Sequence, residues 1–322
     1  MRRPILWLLL VTALASALPA QQTRSVLLVL NKREDTCSFL DLDSGRELGK
    51  TTTGRGPHEV AVTPDGRRAY ATNYEGSDTI SVIDVVERRE LRQIPLAPHR
   101  RPHGIVITRD GRRAIVTCEG SRTVIELDLE RETIAATYST EANGSHMVAL
   151  SPDERHAYVA NIGSGSLTVI DRVARRVVAQ IPCAPGTEGV AVSPDGRFVW
   201  TANNRANSLS IVDTRAHRVV ETLPCADFPI RVQLTPDGRR ALVSCARSND
   251  VAVFDTVTRK ETHRIATGTA PVGLLILPDG KRALVANTAA NRIALLDLVQ
   301  MKVSSTLTAG REPDGMALAS LP

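Results

Sequence analysis

The chain has 322 residues and a formal net charge of +5, from 40 Lys and Arg against 35 Asp and Glu. This small excess is spread along the chain, largely in Arg–Arg pairs, and aromatic residues make up only 3%. The composition therefore argues against a nucleic-acid-binding protein, which needs a concentrated basic surface and often aromatic side chains for stacking. A face that binds a polyanion is a weaker alternative.

The first 20 residues are typical of an export signal. Arg2 and Arg3 precede an apolar stretch at 5–17, which is short for a membrane span, and small residues follow it. We expect cleavage near residues 17–20, with residues 21–322 released into a bacterial periplasm or secreted, and no transmembrane segment after removal of the signal. Retention of the apolar stretch as an anchor is the alternative.

A tight-turn motif divides the rest of the chain into similar units. Pro-Asp-Gly or a close variant occupies the turns at 63–66, 108–111, 151–154, 193–196, 235–238 and 277–280. The period of about 42–45 residues, with short alternating strands in each unit, is typical of a β-propeller. In the unit after His58, the sequence predicts strands at 59–62, 68–72, 80–84 and 90–94.

The two ends of the repeat predict how the ring closes. Residues 26–31 match a second strand that has no first strand before it, and residues 313–318 match a first strand at the end of the chain. The sequence therefore predicts an all-β, seven-bladed β-propeller in which the C-terminal strand completes the N-terminal blade. Residues 21–322 would form a single domain, and we expect a monomer.

The five cysteines follow no metal-binding or haem-attachment pattern. No Cys-x-x-Cys-His motif is present, which excludes covalent c-type haem. Cys183 and Cys225 occupy the same register in neighbouring units, and an oxidising compartment would permit a disulfide between them if their Cα atoms approach closely enough. Otherwise they are free thiols, so the sequence leaves their state open.

The recurring unit resembles the YVTN-type β-propeller repeat family. Gly56-Pro57-His58 followed by a Val-Ala-Val strand carries the resemblance, as do the segments at 70–73, 158–161 and 200–203. It covers nearly all of the expected mature chain and implies the propeller fold. Members and relatives include secreted and surface binding proteins, lactonase-like proteins, metal-dependent lyases and cofactor-carrying dehydrogenases of the cytochrome d1 type.

Aligning the units on their turns identifies equivalent positions at the mouth of the central channel, where each first strand begins. These seven positions hold His58, His103, His146, Glu188, Ile230, Val272 and Asp314. The next position along holds Glu59, Gly104, Met147, Gly189, Arg231, Gly273 and Gly315. The candidate ligand residues at the mouth are His58, Glu59, His103, His146, Glu188, Arg231 and Asp314.

Three histidines and a glutamate on four consecutive blades suggest several kinds of chemistry. Imidazoles with a carboxylate typically bind Zn²⁺, Mn²⁺ or Fe²⁺, so His58, His103, His146 and Glu188 form a candidate metal site. Without metal, one histidine could act as a general base whose charge Glu188 or Asp314 sets. The plainest alternative is that Pro-His belongs to the repeat itself and only packs or caps the strand.

Two other cationic features lie near the predicted mouth. Arg231 could bind an anionic group of a ligand, although a salt bridge would also account for it. The loop at 96–102 is long for its kind, and its side chains His99, Arg100 and Arg101 are expected to overhang the mouth as a gate or as a solvated tip.

These observations favour an exported binding or scaffold module whose protein partner or small ligand sits at the channel mouth, with no catalytic residue assigned. A metal-dependent lyase or lactonase-like enzyme that uses the three histidines and Glu188 is one alternative. An accessory protein of a periplasmic redox system is another.

Overall fold

The structure, a computed structural model, describes residues 24–321, so the predicted signal and its cleavage point lie outside the described residues. The described chain folds into seven antiparallel sheets of four strands each, the blades of a propeller. No helix among these residues is long and apolar enough to cross a membrane. The only helical segments described are two short 3-10 turns, Glu119–Ser121 and Thr288–Ala290.

The blades follow one another in chain order. Blade 1 consists of β1 (Arg24–Asn31), β2 (Thr36–Asp41) and β3 (Glu47–Thr52). Blade 2 consists of β4 (Pro57–Val62), β5 (Arg68–Asn73), β6 (Thr79–Asp84) and β7 (Arg89–Pro95). Blade 3 consists of β8 (Pro102–Ile107), β9 (Arg113–Cys118), β10 (Thr123–Asp128) and β11 (Thr133–Ser139). Blade 4 consists of β12 (Ser145–Leu150), β13 (His156–Asn161), β14 (Ser166–Asp171) and β15 (Arg176–Pro182).

The remaining blades repeat this pattern. Blade 5 consists of β16 (Thr187–Val192), β17 (Phe198–Asn203), β18 (Ser208–Asp213) and β19 (Arg218–Pro224). Blade 6 consists of β20 (Pro229–Leu234), β21 (Arg240–Cys245), β22 (Asp250–Asp255) and β23 (Lys260–Ala266). Blade 7 consists of β24 (Pro271–Ile276), β25 (Arg282–Asn287), β26 (Arg292–Asp297) and β27 (Lys302–Thr308). The chain ends with β28 (Pro313–Leu321).

The Pro-Asp-Gly motif forms the tight turn between the first and second strands. In blade 2, the amide of Gly66 donates to the carbonyl of Thr63 at 2.8 Å, and the Asp65 carboxylate accepts from the Thr63 hydroxyl and from the amide of Arg67. Gly66 has φ +74°, a left-handed conformation that suits glycine. The Pro-Asp-Gly motif therefore marks the boundary between two strands, because its glycine adopts a left-handed backbone conformation that ends the first strand.

The ring closes as the sequence predicts. Strand β28 pairs antiparallel with β1, in register from Leu27 opposite Leu318 to Val29 opposite Met316, and becomes the fourth strand of blade 1. The edge of β1 is thereby paired, which removes an exposed sheet edge. The seven-bladed, all-β architecture is confirmed, and the strands predicted for blade 2 agree with β4 to β7 to within two residues.

Aliphatic side chains between neighbouring blades form the core. The largest fully buried side chains include Trp200, Phe39 and Phe254, each packed in a cluster that joins two adjacent sheets. Burial of these apolar surfaces supplies most of the free energy that holds each blade to the next. The low aromatic content is consistent with this core, which is built mainly from Val, Ile, Leu and Ala.

All five cysteines are free thiols, so no disulfide joins Cys183 to Cys225. The sulfur of Cys225 lies instead 3.8 Å from that of Cys245. The register argument paired equivalent positions on neighbouring blades. In the ring, however, the residue after the fourth strand of one blade meets the end of the second strand in the next blade.

Candidate functional site

The first strands of the blades begin at one end of the central channel, and we call this end the mouth. Each predicted mouth position is the second residue of a first strand, as His58 is in β4 and Asp314 in β28. Neighbouring first strands approach closely there: a Cβ added to Gly104 would lie 2.7 Å from the His146 carbonyl. The blades therefore bring the predicted residues together around a narrow opening.

The three histidines form a stack that continues onto a tyrosine. The ring centroids of His103 and His146 are 3.6 Å apart and those of His58 and His103 are 4.9 Å apart. Tyr74 packs against this stack, 4.6 Å from His58 and edge-on to His103 at 5.4 Å. Ring-to-ring packing fixes the orientation of each imidazole at the mouth.

His146 is held between two carboxylates. Its Nδ1 lies 2.9 Å from Oε2 of Glu119, and its Nε2 lies 3.5 Å from Oε1 of Glu188. Burial disfavours the charged ring, but the hydrogen bonds with Glu119 and Glu188 outweigh it and raise the pKa of His146. The protonated ring is therefore more favoured at His146 than at an ordinary histidine, and its contacts join blade 4 to blades 3 and 5.

The surroundings of the other two histidines favour the neutral imidazole ring. Burial lowers the pKa of His58, and burial together with the neighbouring His146 and His58 lowers the pKa of His103 well below its ordinary value. The Nδ1 of His58 lies 2.7 Å from the Gly56 carbonyl, so in the neutral ring this nitrogen donates and Nε2 carries the lone pair. Nδ1 of His103 is buried without a hydrogen-bond partner.

Arg231 crosses the channel and pairs with two glutamates. Its Nη1 donates to Oε1 of Glu188 at 3.1 Å, and its Nη2 donates to Oε1 of Glu59, which is on the far side of the ring in blade 2. These carboxylates and Asp314 keep Arg231 charged, with a raised pKa, despite its burial. The sequence left two roles open for Arg231, contact with an anionic ligand or a salt bridge, and the structure contains the salt bridges.

Glu188 also accepts a hydrogen bond from the side-chain amide of Asn204. Burial opposes its ionisation, but the hydrogen bond and charge of His146 and the charge of Arg231 lower the pKa of Glu188. Asp314, nearly inaccessible to solvent, forms an ion pair with Lys32 at 3.1 Å, and the charges of Lys32 and Arg231 lower its pKa against the effect of burial. Both groups are therefore buried carboxylates.

The arrangement does not favour the predicted metal set of His58, His103, His146 and Glu188. Both ring nitrogens of His146 already contact carboxylates, and Glu188 is paired with Arg231 as well. Within residues 24–321, no group of three or more His, Cys, Asp or Glu side chains is placed to hold a metal ion. Glu188 and Asp314 are each paired with a cation of the chain itself, whereas burial raises the pKa of Glu59 despite its contact with Arg231.

The family of the chain follows from a family model described as "Lactonase, 7-bladed beta-propeller", which matches residues 101–266, just over half of the sequence. The chain belongs to this lactonase-type propeller family. The fold and a propeller family related to the predicted one are thereby established, whereas the YVTN-type repeat stays a prediction. Among curated proteins, none matches the chain.

Solved structures similar to this lactonase-family propeller share its fold at low sequence identity. Kuenenia stuttgartiensis hydrazine synthase is 23% identical, with 84% of this chain and 92% of that chain covered and a TM-score of 0.76. A functionally unknown protein from Desulfotomaculum acetoxidans is 13% identical, with 92% and 99% covered and a TM-score of 0.78. Dihydro-heme d1 dehydrogenase NirN, in complex with DHE, is 14% identical, with 91% and 74% covered and a TM-score of 0.68.

The loop at 96–102 of this lactonase-family chain does not place all three of its basic side chains at the mouth. His99 is buried, with its Nδ1 2.9 Å from the hydroxyl of Thr123, so the expectation that it overhangs the mouth is wrong. The Arg101 guanidinium lies over the Tyr74 ring, 4.3 Å from its centroid, and 3.5 Å from Glu119. A surface cavity of about 580 Å³, which we call the rim pocket, lies here between Tyr74, Glu75, Asp78, Arg100, Arg101 and Gly120.

Four residues at the mouth were missed by the sequence reasoning. They are Lys32, Tyr74, Glu119 and Asn204, each of which directly follows the last residue of a second strand. The same alignment of units that identified the starts of the first strands could have identified them. The loop after each second strand reaches the same end of the channel and adds a second ring of side chains.

On the inner side of the mouth, the channel widens into a cavity of about 570 Å³. Glu59 and Arg231 line one end of this cavity, and Arg109 and Glu154 line the other. The walls between them are mainly apolar side chains of the first strands, such as Val106 and Ala149. The Arg231–Glu59 ion pair therefore borders this cavity, whose lining includes none of the three mouth histidines.

Proposed function

We propose that this lactonase-family propeller is an exported binding or scaffold protein that recognises a small polar ligand, or a polar group of a protein partner, at its mouth. The observation that carries the proposal is a set of unsatisfied polar atoms. Nδ1 of His103, Oδ1 of Asn204 and Oδ1 of Asp314 are buried there without a hydrogen-bond partner. Because a buried polar atom without a partner is costly, a ligand that bonds to these atoms would gain free energy.

The chemistry of these atoms indicates the class of ligand. The carboxylate of Asp314 and the amide oxygen of Asn204 accept hydrogen bonds, and a neutral His103 can present a lone pair. A group that carries several donors, such as a hydroxyl-rich or amine-bearing ligand, would suit the site. The rim pocket beside Tyr74 and Arg101 gives such a group room next to the mouth.

The ionic network supports recognition in preference to reaction. Arg231, Glu188 and His146 are already engaged with one another, so they form a preorganised frame. A preorganised frame lowers the entropy lost on binding. Export is proposed from the signal-like residues 1–20, and it would place the mouth in a periplasm or outside the cell.

Site-specific photo-crosslinking in the native host tests the proposal. A benzophenone amino acid replaces Tyr74 at the mouth, and a matched variant carries it at Arg109, which is exposed at the opposite end of the channel. We expect a discrete adduct from position 74 that is absent from position 109. Equal labelling at both positions, or none at position 74, would contradict a mouth-specific partner or ligand.

A lactonase-like hydrolase is the second candidate, and the state of His58 favours it. Because Nδ1 of His58 is committed to the Gly56 carbonyl, the Nε2 lone pair could accept a proton from an attacking water. Hydrolysis of a panel of lactones would be measured for the wild type, His58→Gln and the distant control His99→Gln. Hydrolysis that is lost only in His58→Gln would favour the enzyme over the binding module.

A metal-dependent form of this enzyme can be tested separately. Elemental analysis of the purified protein would be compared with that of a variant in which His58, His103 and His146 are all alanine. Stoichiometric Zn, Mn or Fe that is lost in the variant would favour a metal-dependent lyase or lactonase. Metal in neither protein, with activity absent, would favour the binding module.

The accessory role in a redox system rests on what two similar structures are named for, a hydrazine synthase and a dihydro-heme d1 dehydrogenase. At such low sequence identity, the similarity to these two proteins shows only a shared fold. Titration of the purified protein with a haem, followed by visible absorption, would decide whether this propeller takes up such a cofactor. A stoichiometric spectral change that Tyr74→Ala abolishes would support the role.

A further inference from the structure

The seams between blades share a contact between two fixed positions. The residue after the fourth strand of one blade faces the last residue of the second strand in the next. At the seam of blades 6 and 7, the hydroxyl of Thr267 donates to Oδ1 of Asn287 at 3.1 Å. At the seam of blades 2 and 3, Leu96 and Cys118 fill these positions and belong to one apolar cluster.

At the seam of blades 5 and 6, both positions are cysteine. Cys225 follows β19 and Cys245 ends β21, and their sulfurs are 3.8 Å apart. A disulfide needs about 2.05 Å between the sulfurs, so a shift of less than 2 Å, which side-chain rotation at the surface position can supply, would close the bond. No other pair of cysteine sulfurs is in contact in the described chain.

One of the two thiols is open to a reagent. Cys245 is completely buried, whereas Cys225 is partly exposed and lines a surface cavity of about 370 Å³. Arg259, Lys260 and Arg264 line this cavity, where Arg259 is paired with Glu221 and Arg264 with Glu261 and Asp250. The guanidinium groups and Lys260 still present N–H donors at the cavity, and these donors can bind the carboxylate groups of an anionic disulfide reagent next to Cys225.

We propose that Cys225 and Cys245 form an intramolecular disulfide that joins blade 5 to blade 6, by exchange with a small anionic disulfide of the oxidised-glutathione class. The Cys225 thiolate attacks one sulfur of the reagent, and one glutathione thiolate leaves. The Cys245 thiolate then attacks Sγ of Cys225 in the mixed disulfide, and the second glutathione thiolate leaves. Two protein thiols are oxidised and one disulfide is reduced, with two protons released.

Asp250 is the charged group that lies nearest to the buried thiol along the strand pair. It lies directly opposite Cys245 in the register of β21 and β22, and its Oδ1 is buried without a hydrogen-bond partner. Its other oxygen is 3.6 Å from Nη1 of Arg264, at the edge of the same cavity. The contact with Cys225, burial and the negative charge of Asp250 all raise the pKa of Cys245, so the second exchange step, which needs the Cys245 thiolate, should be the slower one and should speed up as the pH rises.

The test is a count of all thiols, made after unfolding, on protein that has or has not been incubated in its native state with oxidised glutathione. We expect titratable thiols to fall from five to three, and peptide mapping without reductant to recover one linked pair of peptides that contains Cys225 and Cys245. In Cys225→Ser, a partly exposed position where folding is not at risk, the intramolecular loss should vanish. Cys183→Ser occupies the same register one blade earlier and faces Asn203, so its thiol count should still fall by two.

Three results would overturn the proposal. One is a count that stays at five in the wild type. Another is a stable mixed disulfide of Cys225 with glutathione that never converts to the linked pair. The third is a linked pair that involves Cys37, Cys118 or Cys183. Because the charge of Asp250 raises the pKa of Cys245, Asp250→Asn should shorten the lifetime of the mixed disulfide, whereas unchanged kinetics would remove that assignment.

Discussion

At the scale of single residues, one repeat position gives rise to three different histidines. His58 donates a hydrogen bond to a backbone carbonyl, Nδ1 of His103 has no hydrogen-bond partner, and His146 lies between two carboxylates. The sequence marks the three as equivalent, but their charge depends on what the neighbouring loop supplies. Glu119, which follows β9, and Glu188 form the hydrogen bonds that raise the pKa of His146 against the effect of burial.

Arg231 forms ion pairs with two buried glutamates at the mouth. We expect Arg231→Leu to reduce the free energy of unfolding by roughly 3–5 kcal/mol, because Glu59 and Glu188 would be left buried without their cation. The measurement is chemical denaturation at neutral pH. The matched control is Arg109→Leu, which removes an exposed partner of Glu154 and should cost less than about 1 kcal/mol. Equal decreases in the free energy of unfolding of the two variants would contradict a special contribution of Arg231 to stability.

The charge of His146 predicts a dependence of stability on pH. Because its folded pKa is raised above the ordinary value of 6.5, its contribution is fully present below that value and is lost as the pH rises through the folded pKa. The free energy of unfolding of the wild type minus that of His146→Phe should therefore fall with rising pH. Each unit of pKa difference is worth about 1.4 kcal/mol.

His58→Phe is the control for this experiment, because burial lowers the pKa of His58. Just below pH 6.5, the unfolded state then binds more protons than the folded state. The free energy of unfolding of the wild type minus that of His58→Phe should therefore rise with pH across this window. Denaturation would be followed between about pH 5.5 and 9, above the range in which Glu119 and Glu188 lose their ionised stabilisation. Slopes of the same sign in both variants would contradict the assignment of charges.

At the scale of the strands, the turn chemistry made the sheets predictable. The Pro-Asp-Gly turn requires a left-handed glycine and an acceptor side chain, so the residues on either side of it had to be paired strands. Contacts between blades were harder to predict from the sequence. The Cys225–Cys245 contact joins two different repeat positions, and comparison of equivalent positions alone pointed to Cys183.

Strand β28 is the element on which ring closure depends. We expect a chain that ends at Glu312 to lose its closed ring and to associate with other copies, because the edge of β1 would be unpaired and the apolar cluster that contains Ala317 and Ala319 would open. Size-exclusion chromatography and protease sensitivity would measure the loss. A circular permutant that joins residue 321 to residue 24 and opens the exposed turn after Asp84 keeps every strand and should remain monomeric. A stable monomer without β28 would contradict the role of the seam.

At the scale of the whole molecule, the sequence predicted the ring more completely than the site. Six units with the same turn, and a seventh first strand at the end of the chain, fix the number of blades and the end of the channel at which His58, His103 and His146 meet. The partners of these residues come from loops whose sequences differ between blades, and Arg231 pairs with Glu59 from a position 172 residues earlier. Such cross-channel pairing depends on the diameter of the closed ring, which the spacing of a repeat does not encode.

A closed ring should also unfold as a unit, since each blade buries its faces against two neighbours. Trp200 is the one tryptophan outside the predicted signal, and it is buried at the seam of blades 5 and 6. Its fluorescence therefore reports on that seam, while far-ultraviolet circular dichroism reports on all seven sheets. We expect the two signals to give the same denaturation midpoint in the reduced wild-type protein. A fluorescence midpoint clearly above or below that of the sheets would mean that blades 5 and 6 unfold separately, and that closure by β28 does not couple the whole ring.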